Sequence, residues 1–257
     1  STLFIIAAGK GTRMGGSLPK AFMDVGGKSN IQNTLEKAEG RFKKAFIVAN
    51  SSLRDVWTAL VKQIKVNIDF EVLFIESGLG DGHAVLAALK HKQLKHVDFE
   101  EPFGSNSNRF VTIVWGDVYI PDSGIFAELL SNNSEIAYGK IPVVKEEDPY
   151  VTILTDPSLA VTGADFRKLG EGHATGFHDQ SIFLFDVYTL ISSLENLHNA
   201  LWKSGRYISP NGELSLLYVF HYIYNKHESG PIAFETFYPT MGFNTPEELE
   251  MIRKKYS

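Results

Sequence analysis

Four glycines and three cations stand close together near the start of the chain: Gly9, Lys10, Gly11, Arg13, Gly15, Gly16 and Lys20, with Thr12 among them and Pro19 before the last lysine. Glycine has no Cβ, so successive backbone N–H groups can curl around an anion while the cations hold it. The loop is fed by Leu3-Phe4-Ile5-Ile6-Ala7-Ala8, an unbroken apolar run. A strand buried on both faces, as in a parallel sheet covered by helices, gives such a run. Ligands of open α/β sheets bind at the carboxyl ends of these strands. The chemistry expected of Ala7, Ala8, Gly9, Lys10, Gly11, Thr12, Arg13 and Lys20 is therefore polyphosphate binding.

Two familiar phosphate loops do not fit. A Walker loop needs Lys and Ser or Thr after its second glycine, and counting on from Gly9 or Gly11 meets no lysine. A dinucleotide fingerprint needs a small residue where Met14 stands and an immediate helix, whereas Arg13 and Pro19 favour an extended loop. A second Gly-rich turn, Gly78-Leu79-Gly80-Asp81-Gly82-His83, opens a helix, and His83 reads as a packing residue of its first turn. Gly116 and Asp117 end another apolar run, at residues 110–115. A carboxylate just past a central strand can hold a divalent ion against phosphate oxygens, which makes Asp117 the leading metal ligand.

The elements that must position these residues alternate. Strands are expected at residues 45–49, 70–75 and 110–115, and helices at 29–39, 53–65 and 81–94, with Ser29 or Asn30 able to cap the first. Such alternation makes a mainly parallel sheet with right-handed crossovers. The second half is less regular: strands at 136–144 and 150–155 around a charged turn at 145–149, a strand at 182–185, helices at 187–203 and 214–224, and a strand at 232–234. Thr245 as N-cap and Pro246 as first residue open a terminal helix. Residues 100–109 read as a surface loop. One domain is expected, residues 1–257, with a regular part to about 135 and a less regular part, which includes the C-terminal helix, from about 136.

The 257 residues, 44% hydrophobic and 21% charged, carry no cysteine, so a thiolate metal site and a disulfide framework are excluded. Net charge is −5, yet residues 1–28 hold Lys10, Arg13, Lys20 and Lys28 against Asp24 alone. An acidic protein with one basic loop suits a small polyanion better than a nucleic acid, which asks for a broad basic face. No apolar run reaches the roughly 20 residues of a membrane span, and the first strand lacks the basic flank of a signal peptide. A cytoplasmic protein without membrane or nucleic-acid partners is expected.

Gly-x-Gly-Thr-Arg-Met followed by Pro-Lys, with Gly80-Asp81-Gly82-His83-Ala84, Gly116-Asp117-Val118 and Gly242-Phe243-Asn244 further on, resembles the sugar-phosphate nucleotidyltransferases. Within them it is most similar to N-acetylglucosamine-1-phosphate uridylyltransferase domains. The resemblance implies a Rossmann-like three-layer α/β/α sandwich, of the nucleotide-diphospho-sugar transferase or GT-A-like kind, with a mainly parallel sheet and a smaller mixed β region. It implies attack by the phosphate of a small-molecule acceptor on the α-phosphorus of a nucleoside triphosphate, releasing pyrophosphate, with Mg2+ as cofactor. Catalysis would fall to Arg13, Lys20 and Asp117: Lys20 on the α-phosphate, Arg13 on the β and γ phosphates, Lys10 assisting, and Asp117 with Asn244 on the metal. Gly80, Asp81, Gly82 and Gly116 would line the nucleotide. Thr152, Glu171 and Ser181 fall at acceptor-contact positions.

The chain departs from that pattern in places. Asp81 replaces a threonine, and Ser29-Asn30 replaces Pro and a hydrophobic residue with no evident chemical consequence. Pro149-Tyr150-Val151-Thr152 stands where the family has Gly-Tyr-Gly-Arg, so the acceptor pocket is expected to be rebuilt. Glu76 stands near the family's base-pairing glutamine; a carboxylate accepts but cannot donate, which suits uracil first and guanine second. Molybdopterin and methylerythritol nucleotidyltransferases share the first loop and remain alternatives, as does an inactive regulatory homologue. A GT-A glycosyltransferase would need Asp-x-Asp, where this chain has Asp117-Val118-Tyr119. No left-handed β-helix follows the domain, so a second, acetyltransferase activity is not expected.

Overall fold

A computed structural model describes residues 2–9, 18–76, 78–91, 94, 110–131 and 136–256. Strands and helices alternate through the first half: β1 (Thr2–Ala7), α1 (Asn30–Ala38), β2 (Lys44–Asn50), α2 (Arg54–Leu60), β3 (Asp69–Ile75), α3 (Asp81–Leu89), β4 (Phe110–Trp115) and α4 (Gly124–Leu130). There follow β5 (Gly139–Glu147), β6 (Val151–Thr155), β7 (Val161–Phe166), β8 (Thr175–Asp179), β9 (Ile182–Asp186), α5 (Val187–Leu201), α6 (Tyr218–His227), β10 (Ile232–Glu235) and α7 (Pro246–Tyr256). The main sheet runs β7-β6-β8-β5-β9-β4-β1-β2-β3, with β10 added on β5.

β3, β2, β1 and β4 are mutually parallel. β9 enters antiparallel beside β4, and its neighbour β5 again runs with the first four. β8 and β9 are two segments of one path along β5, broken at Gln180-Ser181, where Ser181 has φ +57. Beyond that break the β6–β7 hairpin extends the sheet away from the parallel part. Seen from the sequence, this is the α/β/α sandwich with a mixed β region that the alternation and the resemblance imply.

Both faces of the sheet are covered, which is why its strands read as continuous apolar runs rather than alternating ones. Leu3, Ile5, Ala45 and Ile47 pack on Ile31 and Leu35 of α1, Trp57 of α2 and Phe126 of α4. Phe4, Phe46, Val48 and Ile113 face the other way, onto Val85 of α3, Leu190 of α5 and Phe220 of α6. A third, small cluster joins Val25 to Phe243, Leu249 and Ile252, and so docks α7 under the Asp24–Val25/Lys28–Ser29 hairpin.

Some boundaries differ from the expectation. β5 extends to Glu147 through Lys145-Glu146-Glu147, because Phe177, Gly176 and Thr175 pair with it while its charged side chains stay at the surface. α2 closes at Leu60 in a 3-10 turn, Val61–Gln63, and α3 stops at Leu89. α6 begins at Tyr218 rather than 214, since residues 213–217 are engaged elsewhere, as described below. The expected loop at 100–109 lies outside the described residues. Among the described residues no helix is long and apolar enough to cross a membrane.

Candidate active site

The site is built where β1 and β4 end side by side. Gly116 donates its N–H to the Ile6 carbonyl at 2.9 Å, and a Cβ at Gly116 would lie 2.8 Å from that of Ala7. Only glycine lets the two strand ends meet so closely. Beyond it, Val118–Tyr119 pairs with Met241–Gly242, and the Phe243 N–H donates to the Asp117 carbonyl at 3.0 Å. That pairing brings Asn244 beside Asp117. The segment is held by the start of α7, where Glu248 accepts the N–H of Thr245 at 3.1 Å and the Thr245 hydroxyl accepts the N–H of Glu248 at 3.3 Å. This reciprocal capping box satisfies donors that a helix start would otherwise leave open.

Lys20 completes the cluster. Pro19, with φ -57 and ψ 138, leads into a single 3-10 turn, Lys20–Phe22, with Ala21 and Phe22 buried as its anchor. The Lys20 ammonium donates to Asp117 Oδ2 at 3.1 Å and to Asn244 Oδ1 at 2.9 Å. Two hard oxygens thus converge on one cation, which is the donor chemistry a Mg2+ ion takes. Among the described residues no three His, Cys, Asp or Glu side chains group as a metal site. A divalent ion here would therefore draw its remaining ligands from water and phosphate, as magnesium sites in nucleotide enzymes commonly do.

The second Gly-rich turn is clasped by residues 213–217. Leu214 donates its N–H to the Leu79 carbonyl and accepts from the Gly82 N–H, both at 2.9 Å. Asp81 Oδ1 accepts the Leu216 N–H at 2.7 Å. Gly80 has φ +101, and a Cβ there would lie 2.4 Å from the Leu214 carbonyl oxygen; one at Gly82 would lie 2.8 Å from Leu216 N. The room these glycines leave is filled by the chain itself on this side. Burial pushes the Asp81 carboxyl up, against the backbone N–H groups of Leu216 and Gly82, which favour its ionised form. His83 packs as expected: its Nδ1 is 2.7 Å from the Tyr207 hydroxyl, which is also 2.7 Å from His198 Nδ1. One hydroxyl proton cannot serve both imidazoles, so Tyr207 donates to one ring and accepts from the other. Burial and then His198 hold His83 below its ordinary value, and burial pushes Tyr207 up to about 12.

A cavity of about 620 Å³ connects these parts. Of the residues expected at the site, Ala7, Ala8, Gly9, Lys20, Gly80, Asp81, Gly116, Asp117 and Asn244 line it. Lys10, Gly11, Thr12 and Arg13 lie outside the described residues. Gly82 is turned to Leu216, and Glu76 is exposed and absent from the lining. The three acceptor positions are also absent from it. Thr152 is buried against Gly176. The Glu171 carboxylate accepts the Phe166 N–H at 3.0 Å, and the Ser181 carbonyl accepts the Trp115 N–H at 3.1 Å. In their place the lining offers Tyr150 and Lys168, which sequence reasoning missed, and Glu213 beside Gly80. Tyr150 stands inside the rebuilt Pro149-Tyr150-Val151-Thr152 stretch, so the departure itself was the available signal. A larger cavity of about 890 Å³ between β7, α5 and α6 is walled by Leu154, Leu197, Leu201, Ile208 and Tyr222 and holds none of the phosphate-loop residues.

Residues 3–175 match the family model of the MobA-like NTP transferase domain. The bifunctional protein GlmU of Corynebacterium glutamicum is 27% identical over 214 residues, 77% of this chain and 40% of that protein. The chain thus spans about two fifths of the length of that relative. The crystal structure of HddC from Yersinia pseudotuberculosis complexed with GMP-PN superposes with TM-score 0.68 at 17% identity, covering 100% of this chain and 99% of the other. The inositol-1-phosphate CTP transferase from T. maritima gives TM-score 0.64 at 14% identity, with 100% and 97% covered. At such identities the two structures establish the fold.

Proposed function

Because the chain belongs to the MobA-like NTP transferase domain family and is a nucleotidyltransferase, we propose that it transfers a nucleoside monophosphate to a phosphorylated small molecule, first of all a sugar 1-phosphate. The observation that carries this reading is the Lys20 ammonium held between Asp117 and Asn244 at the floor of a cavity walled by Ala7, Ala8 and Gly9. An acceptor phosphate oxygen forms the new bond to the α-phosphorus, the bond to the β-phosphate oxygen breaks, and pyrophosphate leaves. No covalent nucleophile is needed, so positioning and charge neutralisation carry the rate.

Asp117 and Asn244 would hold Mg2+, which when bound neutralises phosphate charge. Lys20 turns its ammonium to the α-phosphate, Arg13 and Lys10 grip the β and γ phosphates, and Gly80 with Asp81 flanks the nucleoside. Lys168 neutralises the acceptor phosphate while Tyr150 offers its ring to the acceptor's body. Glu76, Thr152, Glu171 and Ser181 take no part in this arrangement. Glu213, beside Gly80, puts an acceptor-only group on the nucleoside wall, which suits the N–H edge of uracil or guanine. The resemblance to N-acetylglucosamine-1-phosphate uridylyltransferase domains supports a sugar acceptor and uracil, and the complex of HddC with GMP-PN supports guanine. Likeness to an inositol-phosphate transferase supports a second reading, a non-sugar phosphate acceptor.

The test is pyrophosphate release across a panel of the common nucleoside triphosphates and sugar 1-phosphates, with inositol phosphate included. Release is expected only with both substrates and Mg2+ present, UTP or GTP leading. Turnover that is equal in EDTA, or that needs no acceptor, overturns the reading.

A further inference from the structure

Asn30 is the first residue of α1 and is 1% exposed. Its Nδ2 donates to the Val118 carbonyl at 2.9 Å and to the Gly116 carbonyl at 3.2 Å, the residues on either side of Asp117. Two carbonyls facing one amide leave no doubt which end is nitrogen. Its Oδ1 is buried and finds no hydrogen-bond partner among the described residues. A buried acceptor left open opposes folding, so it offsets much of what the two hydrogen bonds contribute. Stability is thus a poor reason for an amide at this position.

Geometry supplies a better one. The Asp117 carbonyl is fixed by Phe243, and Gly116 N–H by Ile6. The amide of Asn30 fixes the remaining two carbonyls, before and after Asp117. With all three carbonyls held, the backbone torsions of Asp117 are set, and with them the direction in which its carboxylate leaves the chain. We propose that Asn30 is a positioning residue, which aims the Asp117 carboxylate at the cation shared with Asn244. The inference rests on the proposed role of Asp117 as metal ligand.

Mn2+ binding followed by electron paramagnetic resonance tests it, with and without inorganic triphosphate. The proteins are the wild type, Asn30→Leu, Asn30→Gln and Asp117→Ala, together with Asn33→Leu. Asn33 donates from the same helix to the Val25 carbonyl at 3.0 Å, away from Asp117, and serves as control. Partners that orient a metal ligand commonly change metal affinity by about 10- to 100-fold. Asn30→Leu should weaken Mn2+ by about tenfold or more and lower kcat with little change in the KM for triphosphate. Asn33→Leu should lower only the melting temperature. Mn2+ affinity within twofold of wild type in Asn30→Leu overturns the proposal, as does an equal loss in Asn33→Leu. If Asn30→Leu does not fold, Asn30→Gln is held to the same limits, since its amide sits one methylene too far to bridge both carbonyls. Wild-type binding that Asp117→Ala leaves unchanged overturns the metal role of Asp117 instead.

Discussion

Lys20 holds its ammonium between Asp117 and Asn244 with 17% of its side chain exposed and 36% of that of Asp117. A part-exposed pair of this kind contributes on the order of 1 kcal/mol or less. Its worth to the fold is small, while in the proposed reaction, which builds charge on phosphate, its worth is large. Lys20→Ala should therefore keep its melting temperature within a few degrees of wild type. It should lose roughly a hundredfold or more in kcat, as enzymes do on losing one fixed donor to developing charge. Steady-state pyrophosphate release with paired melts checks both. A change in KM alone would mean that the lysine binds ground and transition states equally.

The clasp between the Gly80–Gly82 turn and residues 213–217 ties the wall proposed to flank the nucleoside to the start of α6. Gly80→Ala must place a Cβ against the Leu214 carbonyl at a φ of +101. Backbone strain alone costs roughly 1–3 kcal/mol. Gly170→Ala, with φ +84 and open space around it, isolates that strain from the clash. Urea unfolding should show Gly80→Ala the more destabilised of the two, and only Gly80→Ala should raise the KM for triphosphate. On α3, His83 lies below its ordinary 6.5 because burial and then His198 disfavour its charged form. As pH falls through 6.5 the unfolded chain gains the proton before the folded one does. Stability is then lost on acidification through the window between 6.5 and the lowered folded value, and is fully present above 6.5. His83→Gln should flatten the fall in melting temperature between about pH 7 and about pH 5. An unchanged slope would assign the acid sensitivity to another group.

At the scale of the whole molecule, the site joins the ends of β1 and β4, the turn before α3, the 213–217 segment and the strand pair that leads into α7. A ligand that bridges these parts stabilises all of them. At a concentration 100 times its Kd it adds about 2.7 kcal/mol. For a domain of this size that raises the melting temperature by roughly 5–10 °C. A productive triphosphate with Mg2+ should give a shift of this order in thermal melts, and EDTA should shrink it. A shift insensitive to EDTA would separate nucleotide binding from the Asp117–Asn244 pair.

Apolar runs were enough to identify the parallel strands, because burial on both faces leaves no polar register to confuse with another element. Two helix starts were equally legible: Ser29 caps α1 through the Gln32 N–H, and Thr245-Pro246 opens α7. These are local signals, complete within four residues. Contacts between segments far apart in sequence were not legible. That Lys20 meets Asn244, that Leu214 fills the space beside Gly80, and that Asn30 grips both neighbours of Asp117 depend on sheet order and on where the chain returns. Glu76 and Glu171 looked suitable by residue type, yet folding turned one to solvent and spent the other on a backbone N–H. Residue type and spacing determined which chemistry the chain carries. Tertiary structure decided which side chains share one cavity, since each approach is set by partners drawn from the whole length of the chain.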